Sequence, residues 1–577
     1  MADAAIADIG DAEPLTLLDL DPELILEALA TLPARDQAKA RLTCKLFHVL
    51  VAEIARTTTF MKGHYGSAGE IGFFDEVNSH LETAPSMGIL FSENTLPEAF
   101  IEEHVQKYLP YPMELVGGDM SVVAGTKADT GELKQSGDRP GERAAPDTIG
   151  LTLGHFPEAT VKSFAIDVSK SGTWQEQLQA EGAMTEGWKV FLVIARHRET
   201  PDIIDHLQNA HPSAAIIGGM ATGSALYRIK KGEVDLIENQ GVVGLMFSGD
   251  VPLAAFVSRG ARSLCDGHYT FNGGVDVQGG GEEMNHTLIT HLTSTNRGER
   301  KPALECLMEC CANLPRGMGP SIGIATEDGN GYQLESLSND MIVPQQQAIL
   351  VPGSWGQEDD TGTPASGCVK FYGFDAESCK LDLTKRLNDI KTDAEAKGDR
   401  MLGAVMFTCG GRTGRFFGEP AFDASTFAKT FKSTPLIGMY AGGEIGPPLL
   451  ADAPISKAFQ FGGAGMHGFT AIFGLFIVPK RKARESLLAF AGDEEIAQAF
   501  SELRRLANEA GTVPPPPPPP PAASSSSSLP SSLSELRALP IKALKAAMSR
   551  LGLTATPGSE KEDLVMEIAA AKGMSEE

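Results

Sequence analysis

"KVFLVIARHRETPDIIDHLQNAHPSAAIIGGMATG", residues 189–223, decides the class of fold, because it spells apolar strand, amphipathic helix and apolar strand in turn. A proline opens its helix, where a missing N–H costs least, and its second strand runs out into Gly218-Gly219. The same plan stands upstream in "GILFSENTLPEAFIEEHVQKYLPYPMELVGGDMS", residues 88–121, which carries Gly117-Gly118 at the corresponding place. It returns downstream in "GAVMFTCGGRTGRFFGEPAFDASTFAKTFKSTPLIGMYAGGEIG", residues 403–446, where Leu436-Ile437-Gly438 takes the place of Ile216-Ile217-Gly218. Three strand-helix-strand units predict an α/β layer arrangement, mixed α+β, across residues 86–480. Glycines just past the strand ends are where backbone can approach a ligand closely.

Composition narrows the function classes. A chain of 577 residues, 42% hydrophobic, is long enough for several domains with sizeable cores. Its 49 Lys+Arg against 75 Asp+Glu give a net charge of −26, which repels nucleic acid and anionic membrane unless a basic patch is segregated, and none stands out at domain scale. The opening "MADAAIADIGDAEP" has acids and no basic residue, so no signal peptide is expected, and no apolar run reaches the ~18 residues of a membrane span. A cytoplasmic or nuclear address follows as the expectation. The eight cysteines, Cys44, Cys265, Cys306, Cys310, Cys311, Cys368, Cys379 and Cys409, are then expected to be thiols rather than a disulfide framework.

Residues 512–532 form a linker: eight consecutive prolines set a polyproline II rod of roughly 25 Å, and a serine run follows. Beyond it, Ile541, Leu544, Met548 and Leu551 fall at helical spacing, Gly552 stops the helix, and Leu564, Val565 and Ile568 start a second one. This pattern, over 533–577, resembles SAP and SAP-like domains, with a longer loop between Gly552 and Lys561. Such domains often bind DNA. Here, however, residues 535–577 hold six Lys/Arg against seven Asp/Glu, so the electrostatic drive for nucleic acid is missing and a protein-interaction or spacer role is expected.

At the other end, after an acidic tail (1–17), residues 18–56 carry Leu24, Ile25, Ala28 and Leu29 on one helical stripe and Leu42, Leu46, Phe47 and Leu50 on another, broken by Leu32-Pro33. So short a piece cannot close its own core; its apolar faces must meet a partner or dock on the rest of the chain. The order of residues resembles an F-box, with Leu20-Asp21 where that family opens on Leu-Pro and the proline one place later. The resemblance implies that Leu20, Pro22, Leu24, Ile25, Leu29, Leu32, Pro33, Leu42, Cys44 and Phe47 bind the Skp adaptor of a cullin-based ubiquitin ligase, helices packing into an apolar groove. Residues 57–85 read as a linker.

"PLIGMYAGGEIGPPLL", residues 435–450, sets four glycines around Glu444. A phosphate cradle would need the glycines to open a helix, which Gly446-Pro447-Pro448 prevents, and neither a Walker motif nor G-x-G-x-x-G is present. Glu444 is a candidate acid with His467 of "GAGMHGFTAIFGLF" as its nearest motif partner. "GGRTGR" offers Arg412 beside Cys409 as a fork for a carboxylate ligand; a structural Glu444–Arg412 pair is the alternative. Cys306 and Cys310 in "CLMECC" have no second pair at zinc spacing and read as core. Cys409 before Gly410-Gly411 would be a nucleophile if a base lowered its pKa, with His467 the motif histidine on offer; because no nucleophile elbow or base-orienting pattern accompanies it, an esterase or thiol-hydrolase reading ranks below ligand binding.

"VMFTCGGRTGRFFG", "PLIGMYAGGEIGP" and "MHGFTAIFGLF" resemble the C-terminal FIST domain, while "AAIIGGMATGSA" and "VVGLMFSGDVPLAAFVSRGARS" resemble its N-terminal companion. The resemblance implies FIST-N over 86–262 and FIST-C over 263–480, a helical extension over 481–511, and a sensory pocket for a small ligand shared by the two halves. Its implied lining is Gly218, Gly219, Arg262, Cys409, Arg412, Gly443, Glu444 and His467, as binding groups rather than catalysts. The whole then reads as a non-catalytic adaptor bringing a protein substrate to Skp and cullin for ubiquitination and proteasomal degradation. A ligand-sensing signalling module without ligase connection is the alternative. No cofactor, metal or membrane partner is expected.

Overall fold

The computed structural model describes residues 28–41, 50–52, 54–55, 58–67, 73–127, 130–136, 148–230, 233–272, 274–278, 285–312, 320–325, 331–337, 341–352, 366–451, 463–479 and 561–571, with Ile25, Phe47 and Leu314. The chain divides into two units, Met1–Ser501 and Glu502–Glu577.

Three six-stranded sheets carry the larger unit, one for each repeat of the sequence. In each, two adjacent strands run parallel: Met87–Ser92 with Glu114–Asp119, Val190–Arg196 with Ala215–Met220, and Arg400–Cys409 with Leu436–Ala441. A helical crossover joins each pair, as parallel strands require. These are Glu98–Phe100 continuing as a π-helix over Ile101–Gln106, then Thr200–Ala210, then Phe422–Thr430. A third strand pairs antiparallel with the first of each couple: Thr148–His155, Gly241–Gly249 and Ala471–Val478.

Glycine fixes how closely the parallel strands approach. A Cβ on Gly117 would stand 1.7 Å from the Leu90 carbonyl oxygen, and one on Gly218 would stand 1.9 Å from that of Val193, so no other residue fits. Gly438, opposite Met406 in the third pair, holds the corresponding place.

A further strand from each repeat is exchanged in a cycle. Val123–Thr126, which follows the first repeat's glycine turn, pairs with Leu436–Ala441 of the third sheet. Leu226–Lys230, which follows the second turn, pairs with Glu114–Asp119 of the first sheet. Glu444–Gly446, which follows the third, pairs with Ala215–Met220 of the second. Each sheet is thus completed by another repeat.

The inner faces of all three sheets pool into one central core, to which Ile89, Phe91 and Val116, then Leu192, Ile194 and Ile217, then Val405, Phe407 and Ile437 contribute. The outer faces are covered separately by helices: Ile101 and Val105 over the first sheet, Ile203 and Leu207 over the second, Leu383, Leu387 and Phe427 over the third. Burial on both faces explains why these strands read as unbroken apolar runs rather than alternating ones.

The expected boundaries shift accordingly. Residues 57–85 are not a linker: Phe60–Ser67 is a strand of the first sheet, paired with Thr148–His155, and Phe73–Ser79 is a helix on its outer face. The division at 262/263 also moves, because Leu253–Ser258 already belongs to the third sheet through Ala471–Val478. After it comes an insertion with two further sheets and a core of its own, which buries Cys306 and Cys310 as the sequence predicts. The chain re-enters the third repeat through the helix Ala376–Lys397, opened by an Asp375–Ser378 capping box and closed by Gly398 at φ 73°.

The helix Ala34–Arg41 docks on the outer layer of the first sheet. The Ala34 N–H donates to the Leu81 carbonyl at 3.2 Å, Gln37 Nε2 donates to the Glu82 carbonyl at 2.7 Å, and Ala34 packs with Phe73, Phe74 and Val77. In the smaller unit the helix Lys561–Ala571 buries Val565 and Ile568. The polyproline segment and the first predicted helix of the SAP-like pattern lie outside the described residues.

Candidate functional site

The three exchanged strands enter in the same register. Val123 stands opposite Met439, Leu226 opposite Gly118, and Glu444 opposite Gly219. Val123 and Leu226 are aliphatic members of the central core. The third copy places a carboxylate there instead, and Glu444 is fully buried.

A buried carboxylate is costly unless it is bonded. Glu444 Oε2 accepts from the Thr470 N–H at 3.1 Å and the Thr470 hydroxyl at 2.9 Å, while Oε1 has no partner of full hydrogen-bond geometry among the described residues. Burial pushes the Glu444 carboxyl up to about 7, against the opposing pull of the Thr470 bonds, the Cys409 thiol and the Arg412 charge. Cys409 ends its strand beside this group, partly buried, with the Gly411 N–H directed at Sγ from 3.5 Å. Burial first, and the Glu444 charge second, raise the Cys409 thiol, while backbone bonds from Gly411 and Phe469 favour its thiolate.

Phe469 adopts φ 63°, a left-handed conformation that costs an aromatic residue ~1–3 kcal/mol and persists only where its surroundings impose it. Its ring is held edge-on to Phe416 at 4.6 Å and against Phe374 at 4.9 Å. Phe374 in turn lies under the buried guanidinium of Arg259, 4.8 Å from its centroid. Burial depresses Arg259, and the Cys379, Glu335, Glu444 and Cys409 charges oppose that. Arg259 also lines a cavity of ≈ 310 Å³ with Leu334, Asp382, Arg386 and Leu449.

The two arginines named from sequence are engaged elsewhere. Arg412, fully buried, forms a bidentate pair with Asp423, 2.8 Å from Nε and 2.8 Å from Nη2. Its partner is therefore neither Glu444 nor an incoming carboxylate. The Thr408 hydroxyl donates to the same Asp423, and Arg412 lies over the Phe417 face with Nη1 donating to the Arg259 carbonyl at 3.5 Å. Arg262 is half-exposed on a short edge strand and faces Asp375 at 3.3 Å. Arg259, three residues earlier in the same "SRGARS", is buried and feels the Glu444 and Cys409 charges.

His467 lies opposite Glu444 in the antiparallel register, yet its Nε2 donates to the Pro447 and Gly446 carbonyls at 2.9 and 3.2 Å. Burial lowers its pKa, which suits a neutral ring with that role. Gly218 and Gly219 are buried, the second against Ala441, Met439 and Phe407, and Gly443 is buried with its carbonyl accepting from the Met220 N–H. The open rim is made by other glycines. Gly410, Gly442 and Gly468 are exposed, and a Cβ there would meet nothing nearer than 3.5 Å, 3.8 Å and 4 Å respectively. Neither crowding nor a left-handed φ requires glycine at these three positions.

Thr470 and Phe469 escaped the reading of the sequence, although "HGFT" contains both; what their backbone does depends on the strand beside them. Among the described residues, no group of three or more His, Cys, Asp or Glu side chains is placed to hold a metal ion. Among them, too, no helix is long and apolar enough to cross a membrane.

At the N-terminal end, Ile25 and Leu29 are buried within the chain itself, whereas Leu32, Pro33 and Phe47 are partly exposed. Leu20, Pro22, Leu24, Leu42 and Cys44 lie outside the described residues.

Residues 17–56 match the F-box domain. An uncharacterized protein of Mycobacterium tuberculosis is 28% identical over 289 residues, 48% of this chain and 64% of its own length. An uncharacterized protein of Mycobacterium bovis is 28% identical over 341 residues, 55% of this chain and 74% of its own. The chain thus spans less than two thirds of the first of these relatives.

Proposed function

We propose that this protein is a substrate-recognition adaptor of an SCF-type ubiquitin ligase: residues 18–56 engage a Skp adaptor and through it a cullin, and the three-sheet body presents a protein substrate for ubiquitination and proteasomal degradation. The single observation that carries the reading is the F-box match over residues 17–56. The partial exposure of Leu32, Pro33 and Phe47 supports it, since a groove-binding helix pair must offer apolar side chains to its partner. The order F-box then FIST resembles F-box only protein 22; the polyproline linker and SAP-like tail depart from that protein, and substrate choice is not carried over. Cytoplasm and nucleus are the compartments this role requires.

Pull-down of a Skp adaptor and cullin by the full chain and by a chain starting at Thr58 tests the proposal. Capture by the first and not the second is expected; equal capture, or none, overturns it. A second reading, a ligand-sensing module with no ligase role, is favoured by the buried Glu444 carboxylate behind a rim of exposed glycines. Binding of a small ligand by a chain that captures no Skp would establish it.

A further inference from the structure

We propose that Cys409 and Glu444 form a nucleophile–base pair that transfers the acyl group of a small ester or thioester to water, a catalytic site beyond the adaptor role and independent of Skp capture. Three independent features of the fold converge on it. The first is the misfit carboxylate: the two equivalent positions are filled by Val123 and Leu226, yet here the structure buries a charge, leaves Oε1 without a full hydrogen bond and sets the Cys409 thiol against it. A core position given to a carboxylate at such a cost calls for a use.

The second is orientation. Productive nucleophile–base pairs need a third group to hold the base. The sequence shows no such group, but the structure supplies it: both donors of Thr470 fix Oε2, so that Oε1 is the atom left to take a proton. Phe469, strained in its backbone, sits between Gly468 and Thr470, and the Gly411 N–H points at the sulfur from 3.5 Å. The Gly411 N–H favours the thiolate, the form that attacks, while burial raises the thiol, so a base beside it is needed.

The third is access. Cys409 is partly exposed, its chain neighbour Gly410 is exposed, and Gly442 and Gly468, beside the turns that carry Glu444 and Thr470, are exposed with open space over them. Glycine at these positions leaves room for a small acyl group beside the sulfur.

In the step itself, Glu444 takes the thiol proton as Sγ attacks the acyl carbonyl carbon. The carbon–sulfur bond forms, the bond from carbon to the leaving oxygen or sulfur breaks, and the leaving group takes the proton back from Glu444. Water, deprotonated by Glu444, then cleaves the thioester, and Cys409 leaves as the thiol with the returned proton. No oxidant or further reactant enters. Cys409 and Glu444 are the catalytic residues; Thr470 and Phe469 are positioning residues.

The test uses the full chain with p-nitrophenyl acetate. The expected result is a burst of about one equivalent of p-nitrophenolate, with the acetyl group mapped by mass spectrometry to Cys409. The burst disappears in Cys409→Ala and slows by about 100-fold or more in Glu444→Gln. In the unaltered protein the acylation rate rises with a midpoint near 7, the position of Glu444, whose facing titratable and charged groups are Cys409, His467, Arg259 and Arg412. Thr470→Val retains acylation and displaces that midpoint upward, which a merely structural role would not do. Melting curves of each variant separate loss of chemistry from loss of fold, and the pH profile of the unaltered chain needs no variant. Acetylation of Cys409 no faster than that of N-acetylcysteine or of Cys265, Cys311 and Cys368, or an unchanged rate in a folded Glu444→Gln, overturns the proposal.

Discussion

Arg412 and Asp423 show how one residue's role turns on its partner. Both side chains are fully buried and joined by two bonds. A glycine-rich loop beside a cysteine makes Arg412 look like a ligand fork, and nothing in the local sequence reveals that Asp423, in the first turn of the crossover helix Phe422–Thr430, claims it. Truncating one member of such a pair strands the other charge in a dry core, at a cost of about 3–5 kcal/mol. Arg412→Ala is therefore expected to shift the urea unfolding midpoint by a matching amount. A variant of native stability would return Arg412 to the list of available binding groups. Arg262 errs the other way: the family pattern points at it, but it sits half-exposed on an edge strand against Asp375, while Arg259, just past the buried strand Leu253–Ser258, is the buried one.

At the scale of elements, the glycines divide into two kinds that look alike in the sequence. Gly218 is demanded by the close approach of two parallel strands, its missing Cβ falling 1.9 Å from the Val193 carbonyl. Gly468 faces open space. Gly218→Ala should force the strands apart and lower stability by more than ~2 kcal/mol, whereas Gly468→Ala should melt at the parent temperature. Similar losses in both would contradict the division. The strand-helix-strand units were legible because apolar runs buried on both faces keep their composition whatever surrounds them. The exchanged strands were not: Glu444–Gly446 has only three residues, and its partner, Ala215–Met220, lies over 200 positions away, so no local pattern records the pairing.

For the whole molecule, the cyclic exchange means that no sheet of the three is complete without another repeat. Opening the third sheet, for example, removes the partner of Val123–Thr126 and frees the segment that completes the second. The three sheets should accordingly open as one cooperative unit. Native-state hydrogen exchange is expected to give Val123–Thr126, Leu226–Lys230 and Glu444–Gly446 the same opening free energy as the parallel pairs they extend. Earlier opening of one sheet would show that the exchange does not couple them. The same cycle explains why an expected boundary at 262/263 was misplaced: the third sheet starts at Leu253, then waits through a long insertion for its remaining strands.

What the sequence determined by itself was whatever short-range chemistry enforces. The threefold strand-helix-strand plan, the glycines at strand ends and the net charge of −26 all follow from residue type and spacing. What only the tertiary structure decided was which polar groups share a neighbourhood. Cys409, Glu444, Phe469 and Thr470 meet because a strand from one repeat completes the sheet of another, and Arg412 is withdrawn because a helix returns Asp423 to it. Pairings of this kind depend on where distant segments cross, and the energy that selects them lies in burial and hydrogen bonding, which exist only after the chain has folded.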